Sequence, residues 1–518
     1  MRAKLSLLAL ASAFLAGDSI MASVTDVYIA QNEAGLADGG NCANAKGVMY
    51  FNTPAYWVSA SPVGAQIGPG TTVHLCGALS SPLKIRASGT SEAPITIQFE
   101  AGAKITVASC GSRGCLNIAG LHHIVVDGGV DGMIEATNSG TGLASGDSIG
   151  VFARGGTSDS EVRNLTIKTM YVHVGISDTA GANYYGIWFD GNNNAFHDNR
   201  ISDAMGGIVG ETPNSGNNIY RNVIHNVNWG VFLSGGTLVN GITNDALYAN
   251  EVYDFANWDT AADAYHHDGL FVAGNNNLGT GVSHIDIYNN FIHGTASSCC
   301  TTAYIYANDV NHVRIFNNLL VAPTGTYVNN GWLTIGFPRV PDSDNAVFNN
   351  TVIGGTSSQG ACFSIKSELS FSFENNISAN CAYLLWSTAS SRFVRFDNNI
   401  YRNSVLSGSW RLDNEYYDAL AAWRKASMGD ANSHALTGSL NLDGNYQPLP
   451  GSIVLGAGAN LSALSVVALN FDKAGVARPT SGAWDNGAYQ FAGVSHRANQ
   501  GSHFAEKRNL LPADVWPK

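Results

Sequence analysis

The densest group of ionisable residues in this 518-residue sequence spans residues 263–268, where two Asp, two His and one Tyr fall within six positions. A histidine can act as a general base near neutral pH, an aspartate can orient it, and a tyrosine can donate a proton. The spacing lacks the H-E-x-x-H pattern of a helical zinc site. We therefore predict catalytic roles here, the alternative being a surface turn with solvated histidines. The candidates are Tyr265, His266, His267 and Asp268.

A second set of candidates comes from short segments in which Gly is followed by alternating residue types. Alternate residues of a strand point to opposite sides, so these segments predict two outward columns on stacked strands. The inward residues are Val151, Ile187, Ile208, Val231 and Leu270. The first outward column is Phe152, Trp188, Val209, Phe232 and Phe271. The second is Arg154, Asp190, Glu211, Ser234 and Ala273.

The outward columns suggest three kinds of chemistry. Asp190 and Glu211 would lie about 5 Å apart on neighbouring strands, as the carboxyl pair of a retaining glycosidase does. The same two acids would equally suit Ca²⁺, and Arg154 could instead form a plain ion pair with Asp190. Exposed aromatic rings would stack on sugar rings, unless long loops cover them and make a second core. The predicted substrate-binding rings are Trp188, Trp229, Phe232 and Phe271.

The elements that position these residues form a repeat. Asn followed by alternating apolar residues recurs at spacings from 23 to 40 residues. Short strands, turn residues and a short minimum repeat predict an all-β parallel β-helix whose Asn side chains stack in an internal ladder. A leucine framework is missing, and propeller blades need about forty residues for each repeat. The repeated residues are Asn164, Asn199, Asn222, Asn250, Asn290, Asn318, Asn350, Asn376 and Asn399.

Together with the segments at 69–75, 89–97, 472–479 and 484–489, these rungs resemble exported right-handed parallel β-helix proteins of the pectate-lyase-like superfamily. The resemblance covers roughly residues 25–492. That superfamily includes polysaccharide lyases, glycoside hydrolases, uronate epimerases and non-catalytic adhesins. No catalytic motif of a subfamily is matched, so the resemblance implies the fold and assigns no residue a role.

The predicted organisation has four parts. Residues 1–23 read as a signal peptide, because Arg2 and Lys4 precede an apolar run too short to span a bilayer. Residues 24–410 are the β-helix with an N-terminal cap, residues 411–492 close its C-terminal end, and 493–518 form a tail. One amphipathic helix is predicted over 416–428. The mature protein is expected to be secreted or periplasmic, without a membrane span and monomeric.

The eight cysteines fit an oxidising compartment. No C-x-x-C pair occurs, so disulfides are favoured over a metal site. We predict the pairs Cys110–Cys115, Cys362–Cys381 and Cys42–Cys76. A bond between the adjacent Cys299 and Cys300 would be strained.

The net charge of −12, from 27 Lys and Arg against 39 Asp and Glu, argues against nucleic acid as a partner. The leading hypothesis is an enzyme that depolymerises an extracellular polysaccharide by β-elimination, with His267 or Tyr265 as base or acid and Arg154 or Ca²⁺ neutralising a uronate carboxylate. Lysines are scarce, Lys168 and Lys366 being the main candidates on the rungs, and this argues against a lysine as the base. The alternatives are a glycoside hydrolase using two of Asp190, Glu211 and Asp268, and a non-catalytic polysaccharide-binding or adhesin-type protein.

Overall fold

The computed structural model describes residues 25–140, 146–171, 183–235, 241–255, 267–274, 281–296, 301–336, 343–355 and 359–491. Several sequence predictions lie outside these residues. They are the signal peptide, the tail, Tyr265, His266 and the Cys299–Cys300 pair. No described helix is long and apolar enough to cross a membrane.

The chain forms the predicted all-β parallel β-helix, in which each full rung supplies one strand to each of three faces. The first face is a sheet of 14 strands. In sheet order they are Lys46–Gly47, Thr25–Ala30, Thr71–Leu75, Ile95–Phe99, Ile124–Asp127, Glu161–Arg163, Ala195–His197, Asn218–Tyr220, Ala246–Tyr248, Asp286–Tyr288, Arg314–Phe316, Ala346–Phe348, Phe371–Glu374 and Phe393–Asp397. Thr25–Ala30 pairs with Lys46–Gly47 on one side and with Thr71–Leu75 on the other, so this sheet already includes the N-terminal part of the described chain.

The second and third faces are joined where two long strands, Arg200–Ser215 and Val223–Ser234, bend from one face to the other. The second face also contains Ala78–Leu79, Lys104–Val107, Met133–Ala136, Thr166–Lys168, Glu251–Phe255, Phe291–Ala296, Leu319–Val321, Thr351–Ile353, Ile377–Ala379, Ile400–Arg402 and His434–Leu436. The third face also contains Leu83–Lys84, Leu116–Asn117, Ser148–Ala153, Tyr184–Asn192, His267–Ala273, Thr301–Asn308, Tyr327–Gly336, Gln359–Lys366, Tyr383–Ser387 and Trp410–Leu412.

Smaller elements complete the chain. Short strands at Ile242–Thr243, Val282–Ser283 and Val310–Asn311 extend the rungs beyond the third face. The α-helices are Val48–Asn52 and Leu420–Ser427, and the 3₁₀ helices are Cys42–Asn44, Pro54–Tyr56, Ser462–Leu464 and Val467–Asn470. The predicted helix therefore begins four residues late, because Glu415–Tyr417 pairs antiparallel with Trp410–Leu412.

The predicted inward phase of the third face is confirmed. The five aliphatic residues that follow the motif glycines lie in register on successive strands and are completely buried. They are Val151, Ile187, Ile208, Val231 and Leu270. The side chains on either side of them therefore point outward, as the alternation requires.

The predicted ladder is also confirmed for eight of its nine asparagines, from Asn199 to Asn399. Each of the first seven side-chain amides donates to the Oδ1 atom of the next asparagine at 2.9–3.3 Å. Asn164 was assigned wrongly, because it is exposed with a φ of 57° in the turn before the ladder. The ladder position in that rung belongs to Leu165, whose backbone N–H donates to Asn199 Oδ1.

The part of the C-terminal segment that follows the helix Leu420–Ser427 lies along the side of the β-helix. Four asparagines just before ladder positions donate side-chain hydrogen bonds to carbonyl oxygens of this segment. They are Asn317, Asn349, Asn375 and Asn398. Lys473 reaches further back and donates to the carbonyl of Asn289. The end itself is covered by the helix Leu420–Ser427, whose buried Trp423 packs edge-on against Phe396.

All three predicted disulfides within the described residues are present, namely Cys42–Cys76, Cys110–Cys115 and Cys362–Cys381. Each joins segments that the β-helix already holds close together. No free cysteine occurs among the described residues.

Candidate functional site

The second outward column of the third face brings Arg154, Asp190 and Glu211 together, as predicted. Arg154 contacts Asp190 Oδ2 through Nε at 3.3 Å and Glu211 Oε2 through Nη2 at 2.9 Å. Its guanidinium also lies 4.3 Å from the ring centroid of Trp188, whose Nε1–H donates to Glu211 Oε1. The backbone N–H of Gly156 donates to Asp190 Oδ1 at 2.5 Å. The arrangement is a connected ion-pair network.

This network favours the structural alternative for the two acids. A general acid has to deliver a proton to the leaving group, and both carboxylates here instead accept hydrogen bonds from neighbouring N–H groups. A calcium ion would need the oxygen atoms that already bind Arg154, so the residues do not fit a Ca²⁺ site. Among the described residues, no three His, Cys, Asp or Glu side chains are grouped as metal ligands.

The first outward column is mostly a second core, which is the alternative to an exposed aromatic row, because Phe152, Val209 and Phe271 are buried together with the neighbouring Trp229. Trp229 and Phe271 are only 4% and 6% exposed. They cluster with other buried rings, and Phe232 and Phe271 stack with centroids 4.8 Å apart. Trp188 and Phe232 are half-buried and retain surface for a ligand. The sequence pattern gave the direction of these side chains correctly but not the packing over them.

The cluster at residues 263–268 is only partly described, and its described members are buried. His267 and Asp268 begin the strand His267–Ala273 and have no exposed surface. Asp268 Oδ1 accepts a hydrogen bond from the backbone N–H of Ala303, and burial raises the pKa of Asp268 well above its usual value. Neither side chain can touch a polymer in this structure. Their burial favours a structural role over the catalytic role that we predicted.

The third face also carries one of the two lysines that the sequence disfavoured as a base. Lys366 follows the inward Ile365 and lies in the same register column as Glu211, five strands further along the β-helix. Five strand spacings correspond to about 24 Å. Lys366 is 6% exposed, and burial together with the charge of Arg411 lowers the pKa of its amine to about 7. A continued count of the outward column could have found it.

Aromatic and cationic groups surround Lys366. Its Nζ lies over the ring of Trp386, and the guanidinium of Arg411 lies 4.0 Å from the centroid of the same ring. Tyr383 and Tyr416 flank Arg411, with ring centroids 5.7 and 5.5 Å from it. We call Lys366, Trp386, Arg411, Tyr383 and Tyr416 the lysine cluster. It combines an amine that is partly neutral near pH 7 with a permanent cation and ring surfaces.

The second face carries a separate row of rings. His225, Tyr253 and His293 stack on successive strands with centroids 4.8 and 5.1 Å apart. His293 Nε2 lies 2.9 Å from Glu251, and that hydrogen bond is the main reason why the pKa of Glu251 is lowered. A cavity of about 500 Å³ begins at His293 and Phe291 and extends to Tyr446 of the C-terminal segment. The row belongs to a different face from the lysine cluster.

No family model matches this sequence, and no curated protein matches it significantly. Solved structures do resemble the fold. The pectate lyase Pel9A has a TM-score of 0.42 at 14% identity, over 90% of this chain and 98% of that one. A complex of XylC with xylose has a TM-score of 0.49 at 10% identity over the same shares. A lacto-N-biosidase from Eubacterium ramulus has a TM-score of 0.42 at 12% identity, over 72% of this chain and 65% of that one. None of these similarities assigns an activity to this chain.

Proposed function

We propose that this protein is a secreted enzyme that cleaves an acidic extracellular polysaccharide by β-elimination, with Lys366 as the base. The observation that carries the proposal is the lysine cluster, in which an amine and a guanidinium share one outward face with Trp386. Perturbed ionisable groups beside a specific charged partner are typical of functional sites. The three disulfides support an oxidising compartment outside the cytoplasm.

The residues fit the proton and charge movements of an elimination. The neutral amine of Lys366 takes the proton from the carbon next to the uronate carboxylate. The electrons of that C–H bond form a carbon–carbon double bond, the glycosidic C–O bond breaks, and the leaving oxygen takes a proton from solvent. Arg411 binds the carboxylate, whose negative charge increases during proton removal. Tyr383 is partly exposed and Tyr416 is exposed, so both offer ring surface against which a sugar can pack.

Lowering the amine pKa is essential to this role. At pH 7 a lysine with its ordinary pKa of 10.5 is almost entirely protonated and cannot accept a proton. With a pKa of about 7, half of the Lys366 side chains carry a neutral amine at that pH. Burial is the larger cause and the neighbouring Arg411 the smaller. The hydrolase alternative lacks such a feature, because Asp190 and Glu211 are both bound to Arg154.

The test is a panel of neutral and acidic polysaccharides, read for reducing ends and for the ultraviolet absorbance of unsaturated ends. We expect both signals with an acidic polymer, and Lys366→Met should lower turnover at least about 100-fold because methionine has similar volume but no basic atom. Lys168→Met is the matched control, since Lys168 lies on the second face and pairs with Glu135.

Three outcomes would overturn the proposal. Reducing ends without absorbance would identify a hydrolase. Binding without either signal would identify an adhesin-type protein. Full turnover by Lys366→Met would remove the lysine cluster as the catalytic site.

A further inference from the structure

A second cavity lies at the N-terminal end of the third face, far from the lysine cluster. Its volume is about 450 Å³. Two cationic residues, Lys84 and Arg113, and the amide of Asn117 line it. The remaining wall is Pro82, Leu83, Gly114 and Ala119. A cavity of this size suits a small ligand such as one or two sugar residues, and its wall combines apolar surface with a few polar groups.

The two cationic side chains of this cavity are open to solvent. Lys84 and Arg113 are exposed, and neither forms an ion pair with a carboxylate among the described residues. Several other arginines of the described chain pair with acids, whereas the guanidinium of Arg113 lies 5.6 Å from the ring centroid of Phe152. Examples are Arg154, Arg163, Arg221, Arg314 and Arg395. In a chain with a net charge of −12, two unpaired cations facing one cavity make a local positive field that attracts an anion.

The loop that carries Arg113 is held in place before any ligand binds. The Cys110–Cys115 disulfide closes it, and Asn117 Nδ2 donates to the carbonyl of Arg113 at 2.9 Å. Gly114 has a φ of +77°, and a Cβ atom there would come within 2.9 Å of Phe152 Cβ. The glycine thus lets the loop lie directly on the third face. Because the loop is already ordered, binding loses little conformational entropy.

We infer that this cavity is a binding subsite for a carboxylated sugar residue of the polysaccharide. Lys84 and Arg113 bind the carboxylate, and the apolar wall packs against the ring. The subsite lies on the same face as Lys366, and eight strand spacings, or about 38 Å, separate the strand Leu116–Asn117 from that of Lys366. It therefore anchors a long chain whose cleavage occurs elsewhere on that face. The inference rests on the proposed function only for the identity of the polymer.

The test measures binding by titration calorimetry with hexamers of galacturonate and of mannuronate, and with a neutral glucose hexamer. We expect an acidic hexamer to bind, the neutral one not to bind, and the affinity to fall as salt is added. Arg113→Gln and Lys84→Gln should each weaken that binding about tenfold. Lys425→Gln is the control, because Lys425 is an exposed cation on the helix Leu420–Ser427.

Equal binding of neutral and acidic hexamers, or unchanged Kd values in both cavity variants, would overturn the subsite. Failure to bind either acidic hexamer would overturn it as well. The proposed function fails separately. If no polymer is cleaved but Arg113→Gln still weakens binding, then the lyase assignment is wrong and the subsite stands. If Lys366→Met abolishes cleavage but Arg113→Gln does not affect binding, then the subsite is wrong and the lyase assignment stands.

Discussion

The internal ladder makes a quantitative prediction about stability. The side chain of Asn250 forms four buried hydrogen bonds. Its Oδ1 accepts from the backbone and side-chain N–H groups of Asn222, and its Nδ2 donates to the carbonyl of Ile219 and to Asn290 Oδ1. Asn250→Ala removes all four at once. At about 1 kcal/mol for each net hydrogen bond, the expected loss in the free energy of unfolding is about 4 kcal/mol.

The assay is urea unfolding followed by circular dichroism, in which the variant should have a clearly lower midpoint. Asn164→Gly is the matched control, because Asn164 is exposed, makes one side-chain hydrogen bond to Asp127 and has a φ that glycine adopts freely. We expect it to lose less than about 1 kcal/mol. If Asn250→Ala costs no more than Asn164→Gly, the ladder does not stabilise the fold as argued.

Two further predictions concern pH. Burial raises the pKa of Asp245 from 3.8 to about 7, so the native state binds this proton more tightly than the unfolded state and loses stability as pH rises from about 4 to 7. Asp245→Asn should remove this dependence, so the thermal unfolding midpoint of the variant should rise relative to that of the wild type between pH 4 and 8. If the difference between the two midpoints does not change with pH, the reasoning is wrong. Arg411→Gln removes a positive neighbour that lowers the pKa of Lys366. The pH at which kcat/KM rises should therefore move to a higher value. If that pH does not change, Lys366 is not the base.

The repeat and its phase could be predicted from the sequence because both depend on short-range order. A strand alternates its side chains with a period of two, so the aliphatic residues after each motif glycine fix which side is inward. The ladder follows from a recurring Asn at one rung position. The misassignment of Asn164 shows the limit of this approach. Asn164 precedes an apolar strand, as the ladder asparagines do, but it occupies the left-handed turn residue, and the ladder position is the next residue, Leu165.

The candidate site could be predicted only in part, because its properties depend on long-range packing. The neighbours of Arg154 followed from the rung alignment, and the structure confirms that Asp190 and Glu211 contact it. The burial of Trp229 depends on what covers the strands, which alternation does not encode. The low pKa of Lys366 depends on burial and on Arg411, which lies 45 residues later in the sequence. The scarcity of lysines in the sequence therefore did not indicate the surroundings of any one of them.

The direction of the ladder gives the molecule an electrical polarity. Every amide from Asn199 to Asn376 donates toward the C-terminal end, so their dipoles add along the axis as peptide dipoles do in an α-helix. The last donor, Asn399, meets the buried carboxyl of Asp430. Two shorter series of side-chain hydrogen bonds also end on acids. Asn194 donates to Asn217, which donates to Asp245, and Asn345 donates to Glu368. Rungs could thus be added or removed within the series, but a shortened protein would still need an acceptor after its final amide.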